Sequence, residues 1–197
     1  MAEQDALPAP WPDVFALMWE AYLAGTIPVG AVVVDEAGQL VTSGRNRIFD
    51  HPLEGQLGRS RLAHAELNAL AGLPSERTYE GCTLYTSLEP CHLCLSATIS
   101  VRIGSLRYAA PDPYAGAVGK LVPSKDHEAH PLGVEGPLRG APGRLPELLH
   151  VAHMLWRAPT GGVASFYRRL DPGLVAAAQK LPAPGSGATL VDAFAAL

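Results

Sequence analysis

Two cysteines three residues apart constrain this chain more than any other feature. They lie at the end of residues 85–94 (YTSLEPCHLC), a segment that is typical of a buried strand running into a helix. Residues three apart on a helix share one face, so Cys91 and Cys94 can bind one ligand together. Pro90 suits the first helical position, because its missing N–H would be unpaired there anyway. The pattern predicts two thiolates at the beginning of a helix.

A third candidate ligand, His64, comes earlier in the chain, at the start of another apolar-periodic helix. One imidazole and two thiolates make three ligands. Catalytic zinc sites have three protein ligands and an open position for water, whereas structural sites have four. Residues two apart on a helix point in different directions, so His64 and Glu66 converge only if the metal lies over the helix end. We therefore predict one zinc ion per chain between two helix N-termini, held by His64, Cys91 and Cys94.

Glu66 is predicted to act beside the zinc and not as a ligand. Two thiolates and a neutral imidazole leave the zinc centre formally neutral, and a neutral centre acidifies water less than a cationic one. The site therefore needs a nearby proton acceptor. A free carboxylate can take the proton of the water and pass it on.

These motifs resemble those of a known superfamily. His-x-Glu followed by Pro-Cys-x-x-Cys is the zinc deaminase signature, and the chain resembles the cytidine deaminase-like superfamily. The resemblance is closest to its branch of guanine deaminases and tRNA adenosine deaminases, the CMP/dCMP-type deaminase domain. The matching segments span roughly residues 12–120 in the order of the family. They are residues 28–33 (PVGAVV), 44–46 (GRN), 64–66 (HAE), 86–94 (TSLEPCHLC) and 112–117 (DPYAGA).

The resemblance implies a three-layer α/β/α fold around a central mixed five-stranded sheet. It also implies that Asn46 and Ala65 contact the substrate and that the protein is a homodimer. The family chemistry is the hydrolytic removal of an amino group from a purine or pyrimidine ring. Relatives of this type often carry Asp-Pro-Thr shortly before His-Ala-Glu, whereas this chain has a longer loop at residues 47–63. That departure makes the identity of the substrate harder to transfer.

Three functions compete at this stage. A deaminase of free bases or nucleosides is favoured by the acidic net charge of −4 and by the lack of a basic tail. A tRNA wobble adenosine deaminase is favoured by the matches at residues 28–32 and 112–117. Because the charge argues for the first function, nucleic acid is the less favoured partner. A non-catalytic, zinc-stabilised binding module gives no reason for Glu66, which is not a ligand.

Composition narrows the remaining choices. The 197 residues are 48% hydrophobic, enough for one sizeable core. No apolar run is long enough for a membrane span, no signal peptide is recognisable, and three cysteines do not suggest a disulfide framework, so we expect a cytoplasmic protein. Cys82 is expected to pack in the core. The arginines near the site segment are interpreted as a solvated loop in preference to a nucleic-acid patch; they are Arg45, Arg47, Arg59 and Arg61.

The order of elements is predicted from periodicity and turn residues. Four strands are expected at residues 29–34, 40–45, 82–85 and 103–109, with a fifth beyond residue 115. Helices are expected to begin at Asp13 and to cover residues 64–73, 91–101 and 145–157. Residues 1–122 form the predicted deaminase core. Residues 123–197 are expected to complete the same domain with a loop at 123–142 and helices, which either cover the pocket or form a dimer contact.

Overall fold

The structure, a computed structural model, describes residues 7–121, 124–195 and 197. Its elements run in chain order as α1 (Trp11–Leu23), β1 (Gly30–Val34), β2 (Leu40–Arg45), α2 (Ala65–Ala71), β3 (Thr83–Leu88), α3 (His92–Ser100), β4 (Ser105–Ala110), α4 (Lys125–Ala129), β5 (Gly133–Glu135), α5 (Ala141–Arg157), α6 (Gly162–Leu170), α7 (Pro172–Ala178) and α8 (Leu190–Ala195). None of the helices in these ranges is long and apolar enough to cross a membrane.

The five strands form one mixed sheet in the order β2-β1-β3-β4-β5. Strand β1 is antiparallel to both β2 and β3, whereas β3, β4 and β5 are parallel. The predicted five-stranded mixed sheet is confirmed. The predicted hairpin between the first two strands and the parallel pair joined by a helix are confirmed with it.

Helices cover both faces of the sheet. Alternate side chains of β1 point to opposite faces, as in any strand. Val32 and Val34 pack in a cluster with α1 and α5–α8, while Ala31 and Val33 pack in a second cluster with α2 and α3. All five residues of β1 are buried, which explains why this strand is apolar throughout. The expected three-layer α/β/α architecture is therefore present.

Three local expectations were wrong. The loop expected at residues 123–142 contains α4 and β5. All three residues of β5 are exposed, so the strand has no apolar pattern and depends on pairing with β4. Helix α5 begins four residues earlier than expected, at Ala141, because Pro142 is tolerated in the first turn. Pro90 lies one residue before the N-cap of α3, not at its first helical position.

One edge of the sheet gathers the residues that surround the site. The carboxyl ends of β2, β3 and β4 and the amino end of β1 all lie at this edge, because β1 runs against its neighbours. Helix α2 lies close against β2 there. A Cβ on Gly44 would lie 2.5 Å from the backbone nitrogen of Ala69, so only glycine permits this approach.

Candidate active site

The three predicted ligands converge on one point. His64 Nδ1 lies 3.4 Å from Cys94 Sγ and 3.7 Å from Cys91 Sγ, and the two sulfur atoms are 3.7 Å apart. Tetrahedral zinc, with Zn–S bonds of about 2.3 Å and Zn–N bonds of about 2.0 Å, separates its ligand atoms by about 3.5–3.8 Å. The spacing therefore fits one zinc ion. Among the described residues, this is the one group of three or more His, Cys, Asp or Glu side chains that could hold a metal ion.

Two helix ends position these ligands, as the sequence predicted. His64 is the N-cap of α2, Cys91 is the N-cap of α3, and Cys94 is the third residue of α3. Neither N-cap side chain bonds to its own helix. The positive ends of two helix dipoles therefore face the site, and this field favours thiolates.

The two thiol groups are in hydrogen-bond contact, with their sulfur atoms 3.7 Å apart. This contact lowers the pKa of the Cys91 thiol to about 3, and the hydrogen bond with His64 lowers it further. The same contact raises the pKa of Cys94, which burial and the nearby Glu66 raise further. Zinc binding therefore has to displace the proton of Cys94, because thiolates are the ligands.

Glu66 lies in the first turn of α2 and is 5% exposed. Burial raises the pKa of its carboxyl group, and the neighbouring His64 partly opposes this. A raised pKa makes a carboxylate a better proton acceptor near neutral pH. The location and chemistry of Glu66 suit the predicted proton-transfer role.

A cavity of about 190 Å³ opens over the ligands. His64, Glu66 and Cys91 line one side of it, and residues of the sheet edge line another. The remaining wall comes from the loop after β4 and from α5 and α6. These further lining residues are Ile27, Val29, Asn46, Leu88, Glu89, Asp112, Tyr114, Ala115, His150, Met154 and Val163.

Asn46 lies in the cavity wall with its amide oxygen already bonded. That oxygen accepts hydrogen bonds from Thr26 Oγ1 at 2.6 Å and from the Ile48 N–H at 3.1 Å. The amide nitrogen is thereby left for another partner. Ala65, the other residue expected to contact substrate, is fully buried and is not among the residues that line the cavity.

The loop after β4 is tied to the cysteine segment by Glu89. The Glu89 carboxylate accepts hydrogen bonds from the N–H groups of Asp112 (3.2 Å) and Val118 (3.0 Å). The Ala117 N–H donates to the Pro90 carbonyl at 2.9 Å. These bonds hold residues 112–117 against the cysteine segment and keep Tyr114 in the cavity lining.

The arginines of the long loop do not form a solvated face as a group. Arg45 and Arg47 are buried at 9% and 7% exposure, and both pair with Asp50. Arg59 and Arg61 are exposed. Asn68 on α2 adds hydrogen bonds to both backbone groups of Leu57. The interpretation of a solvated loop was therefore wrong for the first two arginines, which fold the loop onto the site.

The part of the cavity wall that α5 and α6 form was not predicted from the sequence. Its residues are His150, Met154 and Val163. His150 and His153 lie three apart on α5, and the sequence offers no third metal ligand beside them, so a structural role is the simpler interpretation from sequence. The sequence does show a polar residue on the apolar face of that helix. The neighbouring residues, however, do not indicate that this face lies near the zinc ligands.

The N-termini of α2 and α3 bring one imidazole and two thiols together at the edge of this mixed sheet. This arrangement is typical of the zinc-binding deaminases. A family model for the cytidine and deoxycytidylate deaminase zinc-binding region matches residues 13–110, about half of the chain. The chain belongs to this family, and zinc is its cofactor. His64, Cys91 and Cys94 are positioned to hold the metal.

The chain is also similar to known proteins in sequence and in structure. A tRNA(Ile)-lysidine synthase of Deinococcus deserti is 35% identical over 139 residues, 68% of this chain but 25% of that protein. A tRNA-specific adenosine deaminase of Haemophilus influenzae is 37% identical over 103 residues, 51% of this chain and 56% of that protein. A structure from work on A-to-I editing by tRNA:A34 deaminases has a TM-score of 0.51 and 28% identity, covering 64% of this chain and 89% of that chain. The chain thus spans a quarter and about half of the length of these two sequence relatives.

Proposed function

We propose that the protein is a zinc-dependent hydrolytic deaminase of a purine or pyrimidine base or nucleoside. The observation that carries the proposal is a small cavity with the zinc ligands and a buried carboxylate on one side and the protein's own helices on another. Water is the second substrate, and ammonia is the leaving group.

The size of the cavity favours a small substrate. Its volume of about 190 Å³ lies below the range of roughly 300–1,000 Å³ that is typical of drug-sized ligands. Tyr114 lines the cavity and is 49% exposed, and its ring packs edge-on against Phe166 of α6 with centroids 5.3 Å apart. We expect this contact to admit a free base more readily than a base within an RNA loop.

Glu66 carries the proton transfers in this proposal. When bound, zinc acidifies a water molecule and stabilises negative charge on oxygen. Glu66 accepts a proton from the attacking water, whose oxygen bonds to the ring carbon that bears the amino group. Glu66 then passes this proton to the adjacent ring nitrogen. It next moves the proton of the new hydroxyl group to the amino nitrogen, so the bond between carbon and that nitrogen breaks, a carbonyl group forms, and ammonia leaves.

Asn46 is proposed to orient the ring. Because its amide oxygen is bonded to Thr26 and Ile48, its amide N–H groups can donate to a ring nitrogen or a carbonyl oxygen of the substrate. Ala65, which is fully buried between His64 and Glu66, is proposed to contribute through its backbone.

Deamination of adenosine in tRNA is the second candidate. It is supported by the similarity to a tRNA-specific adenosine deaminase and to a structure from work on tRNA:A34 deaminases. The burial of Arg45 and Arg47 speaks against it, because their charges are already paired with Asp50. A non-catalytic zinc module is disfavoured by Glu66, since a buried carboxylate that binds no metal is costly without a function.

A direct assay separates the first two candidates. Zinc-loaded protein is incubated with guanine, adenine, cytosine, their nucleosides and a tRNA anticodon stem-loop, and ammonia release is measured. The proposal predicts release from at least one free base or nucleoside. Release from the RNA alone, together with binding that weakens steeply with salt, would establish the second candidate instead.

Two further expectations stay proposals. Residues 123–197 are proposed to complete the same domain as residues 1–122, since α5 and α6 supply part of the cavity wall. A homodimer is proposed from the resemblance to the family. Gel filtration with light scattering tests it, and a mass of one chain would contradict it.

A further inference from the structure

We infer that His150 on α5 contacts the substrate and helps to set its orientation, an inference that rests on the proposed function. His150 lines the same cavity as His64 and Glu66 and is 6% exposed. It comes from an element outside the matched family region of residues 13–110. The contact would therefore come from a part of the chain that the family model does not cover.

The surroundings of His150 leave one of its nitrogens without a protein partner. Nδ1 is enclosed, and no hydrogen-bond partner for it lies among the described residues. The ring packs edge-on against Tyr167, with centroids 6.1 Å apart and planes at 67°. That contact positions the ring without using a hydrogen bond, so only Nε2 is left to bond a ligand.

The imidazole is held neutral. Burial lowers the pKa of His150, and the nearby Asp112 carboxylate opposes this only in part. A neutral imidazole has one N–H donor and one acceptor nitrogen. A buried N–H without an acceptor is costly, so the proton belongs on Nε2 and not on the enclosed Nδ1. His150 then has an N–H donor for a ligand in the cavity.

Two donors that line one cavity define the kind of ring that fits. Asn46 and His150 both line the cavity, and both have N–H groups to offer. The substrate then needs hydrogen-bond acceptors, ring nitrogens or a carbonyl oxygen, away from the carbon that loses its amino group. Buried donors left unpaired by the wrong ring would penalise its binding.

His153 provides a matched control one turn further along α5. Its side chain is fully buried, and neither ring nitrogen has a partner among the described residues. It stacks on Phe49, with centroids 6.4 Å apart and planes at 23°. Because His153 does not line the cavity, its replacement tests packing alone.

The experiment compares His150→Gln, His150→Asn and His153→Gln in zinc-loaded protein. The amide nitrogen of glutamine reaches about as far as Nε2, whereas that of asparagine reaches only about as far as Nδ1. We expect His150→Asn to raise KM on the order of ten-fold with little change in kcat, since a uniform binding contact is lost. His150→Gln should stay within roughly three-fold of the wild type, and His153→Gln should leave KM unchanged.

The substrate is the base or nucleoside with the lowest KM in the panel of guanine, adenine, cytosine and their nucleosides. An unchanged KM in folded, zinc-loaded His150→Asn overturns the inference, as does an equal rise in His150→Gln and His150→Asn. If His150→Asn does not fold, the ¹⁵N resonance of His150 Nε2 in the wild type decides. A shift on adding that compound supports the contact, and no shift refutes it. A wild type without activity on the whole panel refutes the proposed function itself.

Discussion

Replacing Gly44 by alanine tests how the site depends on the contact between β2 and α2. The added Cβ would lie 2.5 Å from the Ala69 nitrogen and 2.6 Å from the Ala65 carbonyl oxygen. Ordinary Cβ contacts begin at 3.4 Å, so α2 has to withdraw by about 0.9 Å. Since α2 carries His64 as its N-cap and Glu66 in its first turn, both move with it.

The expected cost is about 2 kcal/mol of stability, typical of an overpacked interface. For a chain of this length it lowers Tm by roughly 4–8 °C. Activity should fall on the order of 100-fold, because a displacement near 1 Å removes catalytic alignment. Gly133→Ala is the control, as its nearest contacts lie at 3.4 Å. Tm, zinc content and ammonia release are measured on both. A Gly44→Ala protein that matches Gly133→Ala in all three would refute the reasoning.

Two other predictions follow from the ligands and the loop. Cys91→Ser and Cys94→Ser should each reduce bound zinc from one ion to less than about a tenth per chain, whereas Cys82→Ser should retain it. Elemental analysis measures the zinc content, and equal zinc in all three variants would contradict the ligand set. Burial acts to raise the pKa of Asp50, but hydrogen bonds with Arg45 and His51 outweigh it and lower that pKa. A lowered carboxyl pKa stabilises the fold above its unfolded value near 4, and this stabilisation is lost as the pH falls through the folded value. Asp50→Asn should therefore cost about 2 kcal/mol at pH 7, with the difference shrinking below about pH 4 in denaturant titrations; a constant difference would count against the ion pairs.

The metal site was predictable because its determinants are local. Cys91 and Cys94 are fixed by one helix, and His64 by the start of another, so spacing and helix geometry sufficed. The apolar strand β1 was equally predictable, because both of its faces are buried and its residues are therefore all apolar. The proton-transfer role of Glu66 was predicted because it is two residues from a ligand and has no place in the ligand set, and that role stays a prediction.

The features that were missed depend on contacts that the local sequence pattern does not reveal. Strand β5 has three exposed residues and exists through pairing with β4. Arg45 and Arg47 are buried because Asp50 bridges them, which their sequence separation alone does not indicate. His150 lines the cavity because α5 packs against β3, β4 and α6. Periodicity predicted this helix but not what lies opposite it.

The most direct test of the account is turnover by zinc-replete Glu66→Gln. The substitution keeps the size of the side chain and leaves all three ligands in place. It should therefore bind one zinc ion per chain, as the wild type does, while kcat falls by roughly 10²–10⁴-fold. Ammonia release at the wild-type rate by Glu66→Gln with a full complement of zinc would contradict the assignment of Glu66 as the proton carrier.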